Sequence, residues 1–214
     1  VARTKAEKVK NTKPIRDAQA TQGVILSAAE EEFAQHGFRA ARTETIAAKT
    51  AVAKSMIYYY FKDKEGLYRA VLKRSHADLL QTVEKLDLEH LSADIALEKF
   101  LKALLDCVYR NPKLPTIMFH EAVQNRGKYY KNISLVTIDS TLVKILEQGV
   151  SAGVFRQLDP FHSAINIMGT CLFYFIGAGN IEQFSQGKRL LSKARLKQHT
   201  TEAIALILAG VRKS

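Results

Sequence analysis

The chain has 214 residues, 47% hydrophobic and 25% charged, with a formal net charge of +11 and two cysteines. That is enough apolar material for a sizeable core in one large or two small domains, and too few cysteines for a disulfide framework. The charge is uneven: residues 1–76 hold fifteen Lys or Arg against eight Asp or Glu, net +7, and residues 77–214 hold seventeen against thirteen, net +4. A nucleic-acid-contacting module followed by a less charged partner domain would show this bias.

The start, Val1 to Arg16, carries Arg3, Lys5, Lys8, Lys10, Lys13 and Arg16 without an apolar stretch fit for a signal-peptide core. Residues 1–20 read as a flexible basic arm, able to follow a DNA backbone or enter a minor groove, or else as a tail with no specific role. Helical periods then follow one another, so the expected fold is all-α. Helix one spans Thr21 to His36 and stops at Gly37. Helix two runs from Thr43 to Thr50, and helix three from Lys54 to Tyr60. Ile46, Ala47, Val52, Ile57 and Phe61 can share one small core, leaving Lys54, Ser55, Tyr58, Tyr59 and Lys64 outward. A helix-turn-helix needs that division, because its second helix is fixed on one side while its first turns reach into a major groove.

Asp63 is placed to cap a long helix from Lys64 to about Leu86, whose first amides could hold a phosphate. A fifth helix is expected over Ala93–Arg110, a sixth over Leu114–Asn125, a seventh from Tyr129 to Ala152, an eighth from Pro160 to about Phe184 and a ninth over Leu190–Val211. The longest apolar run, roughly Ala164 to Ala178, falls short of the ~20 residues that cross a bilayer, so no membrane role is expected. Helix eight is apolar on more than one face, and Gly169, Gly177, Ala178 and Gly179 allow close approach by another helix. The last two long helices are therefore the expected homodimer seam, with a central helix of a monomer as the alternative. Cys107 and Cys171, each in an apolar helical pattern, read as reduced thiols of a cytoplasmic protein.

Enzyme readings fail on spacing. His120-Glu121 opens like a zinc-protease helix, but Gln124 stands where the second histidine belongs. Glu182 occupies the third glycine position after Gly177-Ala178-Gly179, which rules out a dinucleotide loop. The six histidines lack ligand spacing, so no metal, cofactor or catalytic residue is expected.

From about Thr21 to Leu72 the chain resembles the N-terminal domain of the TetR/AcrR family of bacterial transcriptional regulators. The resemblance rests on Ile25-Leu26 with Ala28-Ala29, Phe33 with Gly37-Phe38, Ile46-Ala47, and Tyr58 through Phe61 with Lys64-Glu65 and Leu67. It departs at Ala51 and Ala53, where the family usually has a turn glycine and a capping serine, at Glu32, where leucine is common, and at Ala41, where a threonine often starts helix two. The resemblance implies a three-helix helix-turn-helix domain, residues 21–68, and a larger ligand-binding and dimerisation domain, residues 69–214. It further implies a homodimeric repressor of a palindromic double-stranded operator, released by a small-molecule effector. The alternatives are a ligand-independent or activating regulator and a protein that coats DNA without sequence choice. Lys54, Ser55, Met56 and Tyr58 are expected at base edges or flanking phosphates, and Arg42, Thr43, Tyr59 and Lys64 on the backbone. The effector lining is expected from Leu104, Tyr109, Met118, Phe119, Glu121, Gln124, Met168, Thr170 and Tyr174. The segment His120 to Tyr129 resembles a stretch in some family members and singles out Glu121 and Asn125.

Overall fold

The structure, a computed structural model, describes residues 13–130, 135–185, 187 and 189–213. Among them the fold is all helix, apart from one isolated antiparallel bridge between Phe155 and Arg212.

Three helices make the head. The first, α1 (Lys13–Ala40), starts eight residues before the expected Thr21, so Lys13–Ala20 belongs to a helix and not to an arm. Pro14 is tolerated there because the first turn of a helix has no backbone acceptor to lose. Residues 1–12 of the expected arm lie outside the described residues. Gly37 breaks α1 at φ 68, ψ 178, a conformation that only glycine adopts easily. Next come α2 (Thr43–Thr50) and α3 (Lys54–Phe61), as the sequence pattern indicates. The long α4 (Lys64–Glu84) begins under the Asp63 cap, whose carboxylate accepts from the Gly66 amide at 2.6 Å.

The body is built from α5 (Ala93–Arg110), α6 (Lys113–Asn125), α7 (Leu135–Ser151), α8 (Pro160–Ile176), α9 (Ala178–Phe184) and α10 (Lys193–Val211). Its core gathers Leu97, Phe100, Leu101, Leu104, Leu146, Phe155, Ile167 and Cys171. Both cysteines are buried free thiols, and burial pushes the Cys171 thiol up to about 12.

Three expected boundaries move, each for a local reason. Helix eight does not continue to Phe184. It stops at Ile176, and α9 leaves at 65° after Gly177. Gly177, a poor helix former that ends α8 and precedes α9, gives the chain its bend. The last helix begins at Lys193 instead of Leu190, because the Leu190 amide donates to Glu182 Oε1 at 2.7 Å and its carbonyl accepts from the Tyr174 hydroxyl at 3.1 Å. Helix seven is described only from Leu135; its expected first residue, Tyr129, is instead captured by the head.

That capture decides how head and body relate. The head core of Ile25, Phe33, Ile46, Ile57, Leu67 and Tyr68 also takes in Ile117 and Tyr129 from the body. Rings of Phe38, Tyr68 and Tyr129 pack with centroids 5.0 to 5.4 Å apart.

Candidate nucleic-acid interface

The turn between α2 and α3 is held without its usual chemistry. Ala51 closes α2 in the left-handed region at φ 53, and Ala53 precedes α3 with no side-chain cap. At the start of α2, Glu32 reaches across from α1 and accepts the Arg42 amide at 3.1 Å, with Lys49 3.7 Å away. The charge in place of the family's leucine therefore holds the end of α2, a role the sequence alone does not reveal.

Packing fixes α3 on one side only. Ile57 is fully buried, whereas Tyr59 is 78% exposed and Tyr58 38%. Ser55 and Lys54 are exposed, and Met56 is half-buried. Lys54 pairs with Glu44 of α2 and lies 5.6 Å from the Tyr58 ring centroid, and that carboxylate raises its pKa. Thr43 is buried, and its hydroxyl shares a 3.2 Å hydrogen bond with the Tyr58 hydroxyl, so it braces α3 against α2. Arg42 is exposed. Lys64 is half-buried, with Nζ donating to the Arg39 carbonyl at 3.1 Å and lying 5.1 Å from the Phe38 ring centroid; burial lowers its pKa. The phosphate seat expected at the start of α4 has one amide taken by Asp63. Gly66 is required there, because a Cβ would stand 2.1 Å from the Phe61 carbonyl oxygen.

The nine expected effector residues do not converge on one space. Leu104 is sealed in the body core, with Met168 and Tyr174 packed against it. Tyr109 lines an outward cleft with Asp106 and Arg110, Gln124 lines another, and Phe119 is 48% exposed. Met118 is half-buried, and the Thr170 hydroxyl bonds back to the Asn166 carbonyl at 3.0 Å. Glu121 is fully buried and committed to the protein. It accepts from the Tyr129 amide at 2.8 Å, the Tyr68 hydroxyl at 3.1 Å and the Asn125 amide at 2.6 Å. Its carboxylate joins the start of α4, where Tyr68 enters the head core, to the end of α6. Glu30 does the same at the other side, accepting from Arg74, Ser75 and Asn111 at 2.7 to 2.8 Å.

A short helix fixed behind and bare in front, on a basic head keyed into a larger helical body, defines a helix-turn-helix DNA-binding regulator. The comparisons agree. Residues 25–71 match the model described as bacterial regulatory proteins, tetR family, and residues 94–207 match the tetracyclin repressor-like C-terminal domain. The chain belongs to the TetR family of transcriptional regulators, which are not enzymes. It is 30% identical to the HTH-type transcriptional repressor NicS of Pseudomonas putida over 164 residues, covering 74% of this chain and 77% of that one. It is 27% identical to the HTH-type transcriptional regulator RutR of Escherichia coli K12 over 207 residues, covering 95% and 97%. The ketosteroid transcriptional regulator KstR2 of Mycobacterium tuberculosis shares the fold with a TM-score of 0.70 at 20% identity, covering 90% and 95%.

Proposed function

We propose that two copies of this chain pair through α8 and α10, bind a near-palindromic operator as a cytoplasmic repressor, and let go when a small molecule binds the body. The carrying observation is the bare face of α3. Ser55, Met56 and Lys54 are set to reach base edges with Tyr58 beside them, while Arg42, Tyr59 and Lys64 hold phosphates and Thr43 keeps the helix pair rigid. Lys54 gives up only an exposed, solvent-screened ion pair with Glu44 to reach DNA.

Pairing is supported by Phe161, Ile165 and Phe173, each more than half exposed along one face of α8, with Leu206 67% exposed on α10. Gly169 lies on that α8 stripe with open space beyond it. Repression is the direction that NicS bears in its name. The effector is proposed in the body, at the seam where α6 packs on α8, the two helices that carry Met118, Phe119, Met168, Thr170 and Tyr174, with Leu104 and Tyr109 on the neighbouring α5. Glu121 and Gln124 serve that site through the head–body joint they build.

Selection of bound sequences from a random duplex pool tests the reading. Two inverted half-sites at a fixed spacing are expected, and sequence-blind recovery would instead favour a DNA-coating protein. An effector that lowers operator affinity must have its own affinity lowered by the same factor by operator.

A further inference from the structure

We propose that the body also grips DNA: Arg126 and Lys128, in the turn that follows α6, form with Arg39 a second contact to the phosphate backbone, beside Lys64. This rests on the placement of α4 against DNA given above and extends it to residues outside the head.

The turn is seated on the first turn of α4. Tyr129 donates its hydroxyl to Glu65 at 3.1 Å and Lys128 Nζ lies 3.4 Å from the same carboxylate. Glu65 follows Lys64 directly, and Lys64 in turn holds the Arg39 carbonyl at 3.1 Å. Lys64, Arg39, Arg126 and Lys128 thus form one continuous basic strip crossing from head to body. An open cleft of about 410 Å³ separates Phe38 and Arg39 of the head from Arg126 and Lys128 of the body.

Charge balance within the strip favours an external anion. Among the described residues, Arg39 and Arg126 have no carboxylate within ion-pair distance. Lys128 must share Glu65 with Arg69, and its side chain stays 61% exposed. Exposed cations of one sign on long stems, lining an open edge, suit a polyanion that runs past them better than a compact ligand needing enclosure. Arg126 keeps this place although it sits at φ 52, where arginine is disfavoured.

The experiment is a salt titration of the full chain on a selected operator and on a scrambled duplex. It compares the parent with Arg126→Gln, Lys128→Gln, their combination, and Lys64→Gln. The slope of log affinity against log salt should become shallower by about 0.9 for each phosphate contact removed, on both duplexes alike. Melting curves should show the two surface variants folded as the parent is. A shallower slope for Lys64→Gln with no change for the other two would overturn the proposal and leave the head reading intact. Weaker binding at unchanged slope would also overturn it, because the cations would then act through the fold or on a small anion in the cleft. An unchanged slope for Lys64→Gln would sink the underlying placement of α4 itself.

Discussion

Single residues in the helix-turn-helix show where the chain departs from the best local chemistry. Ala51 takes a left-handed conformation that costs an L-residue about 1 kcal/mol and glycine almost nothing. Ala53 leaves the first amides of α3 without a side-chain acceptor. Ala51→Gly and Ala53→Ser should each raise the stability of the full chain by about 1 kcal/mol, read from urea midpoints. A loss with Ala51→Gly would mean that the turn relaxes out of the left-handed region. The resemblance pointed at both positions, and the backbone angles supply the physical reason. Glu32 is the opposite case: a carboxylate facing inward from α1 gives no sequence signal that it will meet an amide ten residues later.

Among the elements, those with a strong local pattern were legible. The α5 helix runs over Ala93–Arg110 and α2 over Thr43–Thr50, as their apolar spacing and flanking breakers indicate. What escaped depends on contacts distant in sequence. Tyr129 looked like the start of a helix, but its ring is drawn into the head core and its amide is held by Glu121. Glu121 is expected from the sequence as a polar handle for a ligand, yet its carboxylate is taken up within the protein by Asn125, the Tyr129 amide and the hydroxyl of Tyr68, 53 residues away. Glu121→Leu should strand a buried amide and a buried hydroxyl and cost about 3 kcal/mol, measured by denaturant unfolding. Near-parent stability would show that water or Asn125 replaces the carboxylate. Of the interface, exposure on α3 followed the sequence pattern, while the internal duties of Thr43 and Lys64 came from tertiary neighbours.

At the scale of the whole molecule, stability depends on pH through buried histidines. His76 donates from Nδ1 to the Leu72 carbonyl at 2.6 Å, and its Nε2 is buried without a hydrogen-bond partner among the described residues. Burial holds its pKa below the ordinary histidine value of about 6.5, and that of His199 likewise. Because the folded state disfavours the charged form, this stability is complete above about pH 6.5 and is lost as pH falls towards the depressed folded values. Urea midpoints should therefore drop between pH 7.5 and 5.5, and His76→Phe should flatten that slope. Assembly gives a second prediction at this scale. Phe173→Glu, on an apolar face 63% exposed in the single chain, should yield monomers by sedimentation and weaken operator binding at least tenfold, since one head reads only half a site. A sedimentation profile like the parent's would move the seam elsewhere.

Ile117 and Tyr129, borrowed from α6 and the turn beyond it, complete the oily centre beneath the reading helix. A fragment ending within α4 would thus expose the underside of its own recognition module and collapse into a loose coil. Swapping specificities between relatives would require grafting this body segment along with the head. The two parts form one packed joint, so whatever tilts α6 reaches the DNA-binding face through direct contact, with no intervening linker to absorb the movement.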